Sequence, residues 1–244
     1  MPHQLDGSEN PRRIGVIGRL GLHPLTRLSV PTRRVFAYLA VQSAPVERAR
    51  VAAALWPDQT DEAARSNLRR AIWQAPPGWV VGEGGELLLD AQVDLAAVRE
   101  TAGRALAGEA MTFAEIEALS VDLLPGWHEE WLLAIQDGYH LLRVQALEAA
   151  CRTLVRLGRF ALATQAGNAA LAAEPLNESA AEALITAHLA QRNRYKAVQC
   201  FKALASRLDR ELGVAPDPAL AAQIGLQIGL QTGHQAGTLE APPR

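Results

Sequence analysis

The stretch DEAARSNLRRAIWQAPPGWVVGEGGELLL, residues 61–89, decides how this chain is read. On a helix of about 100° per residue, Arg65, Arg69, Trp73, Ser66 and Arg70 share one arc of about 140°. Leu68, Ala71 and Ile72 lie on the other side, and Asn67 lies between. Between residues 65 and 74 there are three arginines and no acid. A helix with this division can seat its apolar face on a domain and turn its cationic face to phosphates and guanine edges. Pro76-Pro77 ends it, because proline lacks the N–H that the next turn needs. Beyond, Trp79-Val80-Val81 and Leu87-Leu88-Leu89 flank Gly82-Glu83-Gly84-Gly85-Glu86, which reads as two strands around a glycine-rich turn.

Toward the N-terminus the spacing predicts two more helices. One begins near Pro31, whose missing N–H costs nothing in a first turn, and buries Val35, Phe36, Leu39 and Ala40. Ala44-Pro45 breaks it. The second runs from about Glu47 to Leu55, with Val51, Ala54 and Leu55 inward, and Pro57 ends it. Earlier still, Ile14, Val16 and Ile17 read as a strand, and Leu20–Leu28, with Gly21 and Pro24, as a hairpin of short strands. Small strands, three helices and a hairpin make a winged helix-turn-helix, with the third helix as reader and the hairpin as wing. Arg33 and Arg34, at the start of the first helix, are placed to meet backbone phosphates. The wing carries Glu83 and Glu86 and no cation, a poor minor-groove arm.

Toward the C-terminus the pattern is helical throughout and repeats every 34 residues. Gly158-Arg159-Phe160, Ala163, Ala170-Leu171 and Pro175 follow the second-helix pattern of a tetratricopeptide repeat. Ala163, Gly167 and Ala170 return as Ala197, Phe201 and Leu204. Leu147, Ala150 and Cys151, then Ala181, Leu184 and Ile185, are the first-helix partners. Cys151 and Cys200 both fall at packing positions and read as small core hydrophobes. The expected fold class is therefore α with a small β part: a winged helix-turn-helix, then an all-α tetratricopeptide-like repeat domain. The expected boundaries are a flexible arm over 1–12, the DNA-binding domain over 13–95, the repeat domain over 96–224 and a flexible tail over 225–244.

Composition excludes several function classes. At 244 residues and 49% hydrophobic, the chain can fill one large or two modest cores. No apolar run is long enough for a membrane span. MPHQLDGSEN carries no secretory leader, and two cysteines make no disulfide framework, so a reducing cytoplasm is expected. The six histidines are scattered, without metal spacing. Trp56-Pro57-Asp58 is like the acid loop of tyrosine phosphatases. That chemistry needs an arginine six residues after a cysteine, where Leu157 and Ser206 stand here. Gly82-Glu83-Gly84-Gly85 opens no long helix and is a turn rather than a nucleotide loop. No enzyme, cofactor or metal is expected. The net charge of −2 hides a division: residues 1–95 hold eleven basic and ten acidic groups, and the remainder thirteen and sixteen. Only Lys196 and Lys202 are lysines, and arginine is the residue that reads guanine with two hydrogen bonds.

Leu55-Trp56-Pro57-Asp58 followed by Ala64-Arg65-Ser66-Asn67-Leu68-Arg69-Arg70-Ala71 resembles the second and third helices of the actinobacterial antibiotic-regulatory-protein (SARP/AfsR-like) activators. The N-terminal strands are similar to the OmpR-type winged helix, and Val93-Asp94-Leu95 to the end of the family's DNA-binding domain. Leu123-Leu124-Pro125-Gly126-Trp127, with Glu130-Trp131, looks like the entry to its bacterial transcriptional activation domain, and Leu212-Gly213-Val214-Ala215-Pro216-Asp217-Pro218 like its close. Two departures stand out. Glu47 replaces the usual Ser/Thr cap before Arg48, and Pro76-Pro77 cuts the third helix short. The resemblance implies a DNA-binding transcription activator that recruits RNA polymerase. It implies binding to direct repeats in promoter duplex, with two copies side by side as a homodimer on DNA. Arg65, Ser66, Asn67, Arg69, Arg70 and Trp73 would be the DNA-binding residues, joined by Arg33 and Arg34. The alternative is a tetratricopeptide-like interaction adaptor whose reading helix has weakened.

Overall fold

A computed structural model describes residues 11–229. The described residues form two compact units that share the chain unevenly. The first takes residues up to Glu100 and then Val121–Leu141; the second takes Thr101–Ser120 and everything from Leu142 on.

In the first unit, β1 (Arg13–Gly15) lies between β2 (Gly21–His23), antiparallel, and β6 (Gln92–Val93), parallel. The expected hairpin within 20–28 is corrected: its only strand is β2, which pairs with β1 across Val16–Leu20, and 24–28 form no strand. The Asp94 carboxylate accepts from the amides of Val16 (2.9 Å) and Ile17 (3.2 Å), closing backbone donors just past the end of β1.

Three helices follow. α1 (Val30–Ala40) is capped by the Ser29 hydroxyl, which accepts from Thr32 N, with Pro31 in the first turn. α2 (Arg48–Leu55) starts after Glu47, whose side chain makes no cap bond. α3 (Asp61–Trp73) is capped by Thr60 and carries Asp61 and Glu62 where the helix dipole favours acids. Val35, Leu39, Val51, Leu55, Ala64 and Leu68 meet in one core with Leu87 of the wing. The wing is β4 (Val80–Glu83) and β5 (Glu86–Leu89), with β3 (Val46–Glu47) on the far edge of β5. Its turn is Gly84-Gly85, both at positive φ (59° and 92°), the pair of conformations a two-residue hairpin turn requires.

The first compact unit does not end near residue 95. Residues 121–141 belong to the winged-helix unit because their backbone completes it. Leu123 bridges Ile17, Leu124 N donates to Val16 O (2.9 Å), and Gly18 N donates to Asp122 O (2.7 Å). The Gln136 amide donates to the Leu123 and Leu124 carbonyls, and the Tyr139 hydroxyl to Val121 O. Two further boundaries move. Arg12, expected in a flexible arm, is held by Gly78 O (2.9 Å) and Asp90 (2.7 Å). Helix α10 (Pro218–Gly229) carries order past 224, into the expected tail. The rest of arm and tail, 1–10 and 230–244, lies outside the described residues.

α4 (Asp94–Leu106) begins in the first unit and ends in the second, as α6 (Glu130–Arg156) does. The second unit adds α5 (Phe113–Leu119), α7 (Phe160–Ala173), α8 (Glu178–Ala190) and α9 (Arg194–Leu212). α5 opens with a full capping box, Thr112 to Glu115 N and Glu115 back to Thr112 N. Those bonds, with the Arg104 guanidinium, hold the Glu115 carboxyl below the ordinary range. Their contribution to stability is full above the ordinary glutamate value and is lost as pH falls through the lowered one. The 34-residue repeat is visible in the packing: Ala163 and Ala197 are fully buried at matching places, as are Ala170 and Leu204. Burial pushes the Cys151 thiol up to about 12, an inert core group, and raises the half-buried Cys200 as well.

Candidate nucleic-acid interface

α3 is fixed from behind and open in front. Ala64, Leu68 and Ala71 are buried, with Ile72 half-buried against the same core. Its C-terminal end is clamped by the start of α1. The buried Thr32 hydroxyl donates to Ala71 O (2.9 Å), and the Ser29 hydroxyl to the Gln74 side-chain oxygen (2.8 Å). A helix held at both its apolar face and its end cannot roll, so its outer side chains have a fixed address.

The outer face carries what the wheel predicts. Arg65, Ser66, Arg69 and Arg70 are exposed, Asn67 is half-buried, and Trp73 is 85% exposed. Among the described residues none of the three arginines has an ion-pair or hydrogen-bond partner. An unpaired guanidinium beside an exposed indole leaves both hydrogen-bonding capacity and an apolar plate facing water. Ending at Trp73, one turn before Pro77, still leaves α3 three and a half turns long.

The pair at the start of α1 divides. Arg33 is exposed, its guanidinium 5.8 Å from the centre of the Trp127 ring. Arg34 is half-buried and already engaged. Its Nε and Nη2 donate to both oxygens of Glu129, at 2.8 and 2.7 Å, and it lies 5.9 Å over the Trp56 ring. The Trp131 indole N–H joins the same carboxylate (3.3 Å), and Trp131 meets Tyr38 edge-on at 5.0 Å. Arg34 is therefore corrected from a phosphate contact to an internal tie. Glu129 and Trp131 carry a role in this tie that the sequence reading did not assign. The signal was present as Trp127 and Glu130-Trp131, but their partner lies 95 positions upstream. Glu129→Ala should cost about 1–3 kcal/mol, because it strands a half-buried guanidinium. Arg34→Lys should recover little of this, since an ammonium cannot make the fork. Urea midpoints of the three proteins check both.

The wing adds little positive charge. Arg48, the first residue of α2, folds against it so closely that a Cβ at Gly82 would stand 2.5 Å from its Nη2. Its amide donates to Gly85 O (3.0 Å). Among the described residues no cluster of side chains is suited to a metal ion, and no helix is long and apolar enough to cross a membrane.

Comparison with known proteins agrees with this architecture. The fold is similar to that of Mycobacterium tuberculosis EmbR, solved in complex with a low-affinity phosphopeptide. The TM-score is 0.64 at 20% identity, over 91% of this chain. The chain spans 66% of the length of that protein's chain. Among curated proteins none matches the sequence. Residues 89–224, more than half of the chain, match the bacterial transcriptional activator domain. With that match behind a winged helix-turn-helix, the chain belongs to the bacterial transcriptional activator domain family.

Proposed function

We propose that the protein is a sequence-specific DNA-binding activator whose α3 enters the major groove of promoter duplex. The observation that carries this is the outward arc of α3: three unpaired arginines with Ser66 and Trp73, on a helix immobilised from behind. A bidentate arginine–guanine pair is worth about 1–3 kcal/mol of discrimination, so two such contacts support a specific site. Asn67 sits at the edge of the arc, where it can reach a base or a phosphate. Arg33 supplies a backbone contact beside it, and Arg34 serves by holding α1 in place. Two copies bind direct repeats side by side, and the helical unit contacts RNA polymerase. The protein works in the cytoplasm, without cofactor and without an enzymatic step.

The test is a footprint of purified protein on the region upstream of its own and neighbouring genes. Two protected stretches in the same orientation are the expected result, with protection fading as salt rises. Equal binding to that region and to random duplex at modest salt would sink the activator reading and leave an interaction adaptor in its place.

A further inference from the structure

The second unit carries a cleft of about 540 Å³ walled by α7, α8 and α9. Its floor is apolar: Leu184 and Leu204 are buried, and Leu171 is half-buried. Its charged lining is all of one sign. Lys196 and Arg207 stand exposed along α9, no carboxylate lines the cleft, and neither cation has a partner among the described residues. The two are eleven residues apart on one helix, about 16 Å at 1.5 Å per residue. From α8, His188 lines the cleft near Lys196 and holds a buried Nδ1 with no hydrogen-bond partner. Burial and Lys196 lower the affinity of that ring for a proton, so at neutral pH it is an uncharged donor–acceptor.

We infer that this cleft is a docking site for an extended, acidic peptide segment of a partner protein. The segment carries two carboxylates about six residues apart on one face of the extended chain, with apolar side chains on that face between them. Six residues of extended chain span about 20 Å and return to the same face, so both carboxylates meet a cation within reach of its long side chain while the apolar side chains between them cover Leu171, Leu184 and Leu204. A peptide carbonyl gives the His188 ring an acceptor to turn toward, relieving a polar atom now buried unpaired. The charge selects the partner. A basic segment would be repelled at both ends, and a purely apolar one would leave the Lys196 ammonium and the Arg207 guanidinium without counter-charge. The site is separate from α3, and neither proposal depends on the other.

The probe is a fluorescein-labelled peptide, Gly-Ser-Glu-Ala-Leu-Ala-Leu-Ala-Glu-Gly-Ser, titrated with the full chain and followed by polarisation. A second peptide has both glutamates replaced by lysine, and a third probe is a labelled oligothymidylate of similar length. The acidic peptide should bind, and the lysine peptide should bind at least about tenfold more weakly. Lys196→Glu with Arg207→Glu should weaken the acidic peptide by about tenfold or more, and Leu184→Ala should weaken it at unchanged salt dependence. Duplex binding by α3 should be unaffected by either change. Equal binding of both peptides, no binding near millimolar protein, or an acidic-peptide affinity untouched by the charge reversals would overturn the proposal. Preferential binding of the oligonucleotide, lost on charge reversal, would overturn it in favour of a nucleic-acid site.

Discussion

Replacing Arg65, Arg69 and Arg70 together by alanine is expected to reduce affinity for the protected promoter site by more than about a hundredfold while leaving the fold intact. Each residue contributes in one of two ways. A guanidinium that reads a guanine contributes about 1–3 kcal/mol and is felt only at its own base pair. One that meets a phosphate is felt on every sequence, and its loss flattens the slope of log affinity against log salt by about one. The single variants Arg65→Ala and Arg69→Ala separate these cases when binding is measured on specific and random duplex across a salt series. Fold preservation is expected because all three side chains are exposed and make no internal bond among the described residues. Surface changes of this kind stay within about 0.5 kcal/mol. Arg70 is the one with a local structural role, since a cation in the last turn of α3 favours the helix dipole. If the triple variant retained the promoter preference, α3 would not be the reader.

The second large effect lies in the helical unit. Gly167, in the middle of α7, is where two neighbouring helices approach. A Cβ added there would stand 3.0 Å from Leu184 Cβ and 3.2 Å from Cys151 Sγ. Leu184 Cβ is tied to the α8 backbone and cannot rotate away, so any larger residue must move a helix. Gly167→Leu should destabilise the protein by about 3 kcal/mol or more, the upper end of overpacking costs. Gly167→Ala has two opposed terms. The new methyl crowds the contact, but alanine in a helix interior gains up to about 1 kcal/mol over glycine. It should change stability by less than about 1 kcal/mol in either direction. Thermal melts of the two variants give the comparison, and a tolerated leucine would mean that α7 and α8 are not closely seated.

What was legible in the sequence was whatever repeats at short range. The two faces of α3 follow from residue spacing alone, because an isolated helix already has them. The wing follows from Gly84-Gly85 between apolar triplets, and the 34-residue period marks Ala163 and Ala197 at buried sites. The ends of α1 and α3 were close, as caps are local chemistry: Ser29 and Thr60 fix them. What stayed hidden was long-range pairing. Nothing near Arg34 announces Glu129, so a cation at a helix start read as a phosphate contact. The motif Leu123-Leu124-Pro125-Gly126-Trp127 looked like the opening of the next domain because order along the chain was its only guide. Its hydrogen bond to Val16, and that of the preceding Asp122 to Gly18, are made by backbone atoms, which carry no sequence signature. The Gly167 contact was half visible, as a small residue at a repeat position, although the corresponding Phe201 gives no hint that the site tolerates no bulk.

The loan of residues 121–141 to the winged-helix unit bears on how such a regulator is inherited and taken apart. The chain crosses between its two units three times, near 100, 120 and 141. No single break in the gene, and no single protease cut, separates the whole first unit from the whole second. A fragment ending at residue 100 loses the segment that bridges Ile17 and the carboxylate that holds Arg34. Recombination that exchanges the first unit between relatives must then carry the 121–141 segment along or re-evolve its contacts. The reader and the domain behind it are pressed to diverge together.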